Sequence, residues 1–296
     1  MNYQKYLDNK LKSLKGTRIL ITGANSGIGF SFAKQASYKG ADIVMACRSE
    51  ERANKAINKI KEDVPNANLS FIKYDQSSFE SIRKFVSTIE DEKFDVVALN
   101  AGIFKPGYDL KTAEGFPLTT GTNFIGMYYL LKLLDKKFVS KQIKKVIIVS
   151  SFGRWFAPRD YISYLKDDKN KLWKSYFSSK RMNFEIAGNL KCMYPDLEVS
   201  VVHPGIAVTR MVGNELSRFP KFITKFGEVV MKLFSNTSDK SSLCFLKDLN
   251  EEKVEGINYV YPRGIIHVMG YPTSKVLKPD KIKSDLLEVT SNSLFI

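Results

Sequence analysis

A glycine-rich turn set between a strand and a helix constrains this chain more than any other feature. Thr22-Gly23-Ala24-Asn25-Ser26-Gly27-Ile28-Gly29 follows Arg18-Ile19-Leu20-Ile21, a short apolar segment that reads as a buried parallel strand. Beyond the turn, Ile28, Phe30, Phe32 and Ala33 open a helical pattern that runs to about Tyr38. Glycines let the backbone approach a diphosphate closely. The N–H groups and positive dipole end of the new helix then face that anion. Glycines also make ordinary turns, and it is the strand before and the helix after that mark a nucleotide site. The predicted cofactor contacts are Thr22, Gly23, Asn25, Ser26, Gly27, Ile28 and Gly29. Their spacing is Gly-x3-Gly-x-Gly, not the Gly-x-Gly-x2-Gly of the commoner dinucleotide fingerprint.

The rest of the chain supplies the context such a turn needs. Strand-like runs recur at 19–22, 43–47, 69–73, 96–99, 146–150 and 199–203, and helical patterns fall between them at about 27–38, 50–62, 79–90, 113–138 and 176–193. Strict alternation predicts an α/β fold: one Rossmann-type, doubly wound parallel sheet with helices on both faces. No linker or repeat interrupts it, so the 296 residues are expected to form one domain. Within that domain, 1–15 is expected as an edge-packed helix with Tyr3, Leu7, Leu11 and Leu14 on one face, and 16–210 as the nucleotide-binding and catalytic core. The remainder, 211–296, is expected to hold a C-terminal helical lid around Phe219, Phe222 and Phe226, a helix near 240–250, and a final edge strand over Gly256–Tyr261.

Composition excludes other classes. Mean hydropathy is −0.20 and no run of 18 apolar residues exists, so no membrane-spanning helix is expected. The charged N-terminus lacks an apolar signal core, and Cys47, Cys192 and Cys244 are scattered without metal-ligand spacing. These features predict a reduced, cytoplasmic protein with no metal site. Net charge is +15, but the lysines are dispersed, which argues against nucleic acid as a partner.

The end of the second strand bears on which dinucleotide is held. An acidic residue there would hold the ribose 2′-hydroxyl of NAD. Here the place is taken by Cys47, followed by Arg48 and, one turn later, Arg52. A guanidinium grips a 2′-phosphate that a carboxylate would repel, so NADP(H) is favoured over NAD(H). Asp75 follows the third strand and is expected to accept from the adenine amino group. Asn100-Ala101-Gly102 follows the fourth, where small residues let the backbone lie against the cofactor.

After the fifth strand come Ser150-Ser151, and Tyr176-Phe-Ser-Ser-Lys180 follows downstream. Tyr and Lys at i and i+4 share one helix face. An ammonium beside the phenol, joined by the positive charge of an oxidised nicotinamide, is expected to lower the tyrosine pKa and suit it to acid/base work. Ser151 would hydrogen-bond the same substrate oxygen.

Taken together, Thr22-Gly23-x3-Gly27-x-Gly29, Asn100-Ala-Gly102, Asn123, Val149-Ser-Ser151, Tyr176-x3-Lys180 and Pro204-Gly205 resemble, in order, the motifs of the classical short-chain dehydrogenases/reductases. Ala46-Cys-Arg48, the long interval from Ser151 to Tyr176, and His203-Pro-Gly205 are similar to the retinol dehydrogenase and WW-domain oxidoreductase branch, which tends to use NADP(H). The resemblance implies a catalytic set of Ser151, Tyr176 and Lys180, with Asn123 helping to hold a proton-relay water. The choice of Ser151 over Ser150 rests on it. It also implies that Lys180 bonds the nicotinamide ribose, that Pro204, Gly205 and Thr209 lie beside the nicotinamide carboxamide, and that a homodimer forms on the helices carrying Asn123 and Tyr176. Phe152, Trp155, Phe156, Tyr161, Tyr164 and Trp173, together with Phe219, Phe222 and Phe226, predict a large apolar pocket for a bulky lipophilic carbonyl or alcohol. The alternative expectation is a catalytically weak NADP(H)-binding regulatory or scaffold protein of the same fold.

Overall fold

The computed structural model describes residues 3–104, 110–167, 171–205 and 236–264, and most positions from 267 to 290. Thr209 and the aromatic stretch from Phe219 onward, where the lid was expected, lie outside the described residues.

Eight strands form one sheet in the order β3-β2-β1-β4-β5-β6-β7-β8. They are β1 (Arg18–Thr22), β2 (Asp42–Cys47), β3 (Asn68–Lys73), β4 (Phe94–Leu99), β5 (Ile143–Val149), β6 (Glu198–Val202), β7 (Ile257–Pro262) and β8 (Pro272–Leu277). The first seven run parallel, and β8 pairs antiparallel with β7. Because β1 pairs with both β2 and β4, strand order reverses at β1. The carboxyl ends there form the crevice where open α/β sheets bind ligands.

Alternation along β1 divides the interior. Ile19 and Ile21 face one layer, with Phe32, Ala53, Ile60 and Phe245. Leu20 faces the other, with Phe85, Phe124, Tyr128 and Met182. The first layer is built from α2 (Gly27–Tyr38), α3 (Glu50–Asp63) and the last helix, α9 (Ser238–Asn250). Phe32 stacks on Phe245 at 4.6 Å and joins α2 to α9. The second layer holds α4 (Phe79–Thr88), α6 (Met127–Leu133) and α8 (Leu172–Met193). Helix α3 starts where Ser49 accepts from the Arg52 N–H at 3.3 Å, with Glu50 and Glu51 in the first turn favouring the positive dipole end. The leading helix, α1 (Tyr3–Lys10), is shorter than expected, yet Leu7, Leu11 and Leu14 all pack into the first layer.

Three expectations need correction. The helix expected over 113–138 begins only at α5 (Leu118–Thr120), passes through a π-helical stretch at Gly121–Gly126, and continues as α6 and then α7 (Asp135–Val139). The widened turn lies against the Gln76 backbone: a Cβ on Gly126 would sit 1.8 Å from the Gln76 carbonyl oxygen. The helix expected from Tyr176 starts a turn earlier, at Leu172. The segment expected as the final edge strand is internal, because β8 covers it. Among the described residues no helix is long and apolar enough to cross a membrane.

Candidate functional site

The glycine turn packs as a nucleotide cradle requires. Gly23 (φ 69°) and Gly27 (φ 57°) occupy the left-handed region, where a side chain is strained. A Cβ on Gly29 would lie 2.5 Å from both Asn100 Nδ2 and the Gly23 carbonyl oxygen. Ser26, at the N-cap of α2, makes no side-chain cap bond. The first-turn N–H groups of a helix have no intrahelical acceptor, so this end offers donors to an anion. Cradle and donors fit a dinucleotide diphosphate.

Thr22 and Asn100 lock that turn to the end of β4. Thr22 Oγ1 accepts from the N–H groups of Asn100 and Ala101, both at 2.9 Å. Asn100 Nδ2 donates back to the Thr22 carbonyl at 2.9 Å. Gly102 lies in a corner with two other predicted residues: a Cβ there would approach Asn123 Oδ1 to 3.2 Å and Lys180 Nζ to 3.5 Å. Asn123, in the π-helical stretch, accepts from Ile103 N–H at 2.7 Å and donates to the Ile103 carbonyl at 2.8 Å and to Ser179 Oγ at 3.2 Å. Both ends of its amide are therefore held by protein. Gln76, which spacing gave no reason to single out, donates to the Ala101 carbonyl at 3.1 Å and the Thr122 carbonyl at 2.7 Å, tying this loop to the π-helical stretch.

At the end of β2, Cys47 is buried, and its sulfur takes hydrogen bonds from the Ala24 and Asn25 backbone; burial pushes its thiol up to about 11. Arg48 is exposed and lies 4.0 Å from Asp75 Oδ2. Asp75 also accepts from Ser77 N–H at 3.0 Å and Ser77 Oγ at 2.6 Å, which occupies one of its oxygens. The guanidinium is thus the exposed charge at this corner, and Asp75 steadies it.

Beyond β5 the geometry separates the two serines. Ser150 is buried and donates to the Lys180 carbonyl at 2.7 Å, a packing role. Ser151 Oγ accepts from Gly153 N–H at 3.1 Å and lies near enough to the Tyr176 hydroxyl to lower its pKa. Lys180 Nζ lies 5.8 Å from the Tyr176 ring centroid and donates to the Val149 carbonyl at 3.2 Å. Burial, with no carboxylate partner among the described residues, pushes Lys180 down to about 8. Burial raises Tyr176 above its ordinary value, and Ser151 only partly opposes it. In the chain alone burial sets the direction at Tyr176; the expected lowering requires Lys180 together with an oxidised nicotinamide.

An aromatic wall flanks these groups. Phe104 meets Tyr176 edge-on at 5.4 Å and Trp173 at 4.4 Å; Phe177 lies 5.7 Å from Trp173 and 5.8 Å from Phe156. Trp155, Phe156 and Trp173 are 66%, 59% and 58% exposed, so they are open to a ligand and are not core. Tyr164, by contrast, is core, and Tyr161 donates to Glu185 at 2.5 Å. Phe104 and Phe177 were not among the predicted wall residues. Pro204 and Gly205 follow β6 at the same end of the sheet, with Gly205 at φ 82°.

Comparison with known proteins agrees with this arrangement. The chain is 32% identical over 219 residues to the WW domain-containing oxidoreductase of Drosophila melanogaster, covering 70% of this chain and 52% of that one. It is 27% identical over 267 residues to retinol dehydrogenase 14 of Homo sapiens, covering 84% and 78%. The chain thus spans about half the length of the WW-domain relative. Among solved structures, levodione reductase superposes with a TM-score of 0.65 at 20% identity, over 80% of this chain and 91% of that one, a likeness of fold. The short chain dehydrogenase family pattern matches residues 17–218. With the sheet order, the glycine cradle and the Ser151–Tyr176–Lys180 cluster at the strand ends, that match makes this chain a member of the short chain dehydrogenase family.

Proposed function

We propose that the chain is an NADP(H)-dependent oxidoreductase that interconverts a carbonyl and an alcohol on a bulky lipophilic substrate, with Tyr176 as acid/base. The observation that carries this reading is the cluster of Ser151, Tyr176 and buried Lys180, whose Nζ lies 5.8 Å from the Tyr176 ring, walled by exposed aromatics. When bound, a nicotinamide dinucleotide supplies or takes up the hydride. Tyr176 donates its hydroxyl proton to the carbonyl oxygen, and Ser151 donates to the same oxygen and fixes its position. In the reverse direction Tyr176 removes the alcohol proton. Ionisation of its buried phenol then needs positive charge, which Lys180 and an oxidised nicotinamide supply together. Asn123, its amide held at both ends by Ile103 and Ser179, would help to position a relay water beside Lys180. NADP(H) is supported by exposed Arg48 beside Asp75, and by Cys47 standing where a carboxylate would repel a 2′-phosphate.

A cytoplasmic location and a homodimer on the Asn123 and Tyr176 helices complete this reading; sedimentation equilibrium tests the latter. The test of the whole is Tyr176→Phe, assayed by NADPH oxidation with retinaldehyde, steroid ketones, aliphatic aldehydes and quinones. Turnover should fall by about 10²–10⁴-fold, with thermal stability and NADPH affinity unchanged. A variant keeping more than about a tenth of wild-type turnover, far above that loss, would overturn it.

A further inference from the structure

His203 is one of two histidines in the chain and is 1% exposed, at the end of β6. Its own N–H extends the sheet by donating to the Val260 carbonyl at 2.8 Å. Its ring nitrogen Nδ1 accepts twice. One donor is Phe152 N–H at 3.2 Å, the residue after Ser151; the other is Gly205 N–H at 3.3 Å. The ring lies nearly parallel to that of Phe152, 6.3 Å between centroids. Two loops that leave adjacent parallel strands, β5 and β6, therefore hang on one acceptor atom. Gly205 reaches it through a left-handed backbone at φ 82°, which a side chain would strain.

We propose that His203 is a positioning residue: through Nδ1 it couples the Ser151 loop to the Pro204–Gly205 segment, holding the nicotinamide side of the cofactor site in register with the Ser151 hydroxyl. An acceptor at Nδ1 requires the proton on Nε2, and burial with the nearby Arg154 guanidinium keeps the ring from taking a second proton, its pKa pushed down to about 3. An apolar side chain of similar size would fill the space but leave two N–H groups without an acceptor. Asn carries an oxygen close to where Nδ1 stands and restores the acceptor.

The inference rests on the cofactor reading above, and the test separates the two. NADPH and adenosine 2′,5′-bisphosphate, which lacks the nicotinamide half, are titrated against the wild type, His203→Leu and His203→Asn, with thermal unfolding followed in parallel. His203→Leu should bind NADPH about 10–100-fold more weakly, the scale of a misplaced positioning contact, while its affinity for the bisphosphate is unchanged. His203→Asn should match the wild type for both ligands. Equal losses for both ligands in His203→Leu, no loss for either, or an Asn variant that loses NADPH binding would each overturn the proposal. If His203→Leu does not fold, the Asn result alone decides. A wild type that binds neither ligand would instead overturn the cofactor reading.

Discussion

The two ends of the sheet treat buried charge in opposite ways. At the amino end the buried lysines each make several polar contacts. Lys145, at the start of β5, meets Asp248 Oδ2 at 3.1 Å, and Asp248, fully buried, also accepts from Asn258 Nδ2 at 2.7 Å. Lys137 donates to the Glu90 and Glu92 carbonyls and to Gln142 Oε1, at 2.6, 2.9 and 2.8 Å. Arg18 bridges Glu92 at 2.6 Å and Asp42 at 3.4 Å. At the carboxyl end, among the described residues, Lys180 has a backbone carbonyl and no carboxylate partner, and burial raises Tyr176. The buried lysines of the amino end are each held by several contacts and help to hold the fold. At the carboxyl end Lys180 has a single carbonyl contact, at a cost in stability, where a ligand and its chemistry can use the charge.

That contrast can be broken from either side. The largest stability effect should come from the amino end. Asp248→Ala leaves buried Lys145 with only the more distant Glu198 carboxylate, at 3.8 Å, and should cost about 3–5 kcal/mol in urea unfolding, with NADPH affinity of the folded fraction unchanged. A loss below about 1 kcal/mol, the scale of an exposed pair, would show that the pair is not structural. At the carboxyl end, Arg48→Ala should leave stability alone and weaken NADPH binding by about 1.5–3 kcal/mol, the range for a charged hydrogen bond. NADH binding should not change, and cofactor fluorescence titration reads both; equal losses would remove the argument for NADP(H). The smallest effect sharpens what burial adds. Lys144 and Asp95 pair at 2.6 Å near the amino end, but the lysine is 68% exposed. Lys144→Ala should therefore cost about 0–1 kcal/mol, despite a shorter contact than that of Lys145.

How far the sequence revealed this arrangement follows the same division between local and tertiary causes. Tyr176 and Lys180 were placed together by helical spacing and by their position after the fifth strand, downstream of Ser151, and the glycine cradle by its strand and helix flanks, because both depend on neighbours and order in sequence. The π-helical stretch around Asn123 was hidden because its cause, the Gln76 backbone against Gly126, lies in another element. Strand β8 was missed because Pro272 opens it and is its only buried residue, with no apolar alternation to follow, as an outer edge allows but a periodicity reading discards. The upward shift of Tyr176 in the chain alone was not legible because it depends on desolvation, which spacing does not report.

Lys180 tests the central claim most directly, since one substitution must move stability and function in opposite directions. Its folded-state pKa of about 8 lies below its ordinary 10.5. The unfolded chain therefore binds more protons between those values, and stability should rise with pH across that window. Lys180→Met keeps the volume and removes the buried charge, and thermal unfolding at pH 7 is measured beside NADPH-dependent turnover. The account predicts a variant stabilised by about 1–3 kcal/mol and inactive, whose advantage shrinks as pH rises from 8 toward 10.5. A variant that unfolds at lower temperature than the wild type, or that still turns over, would contradict it.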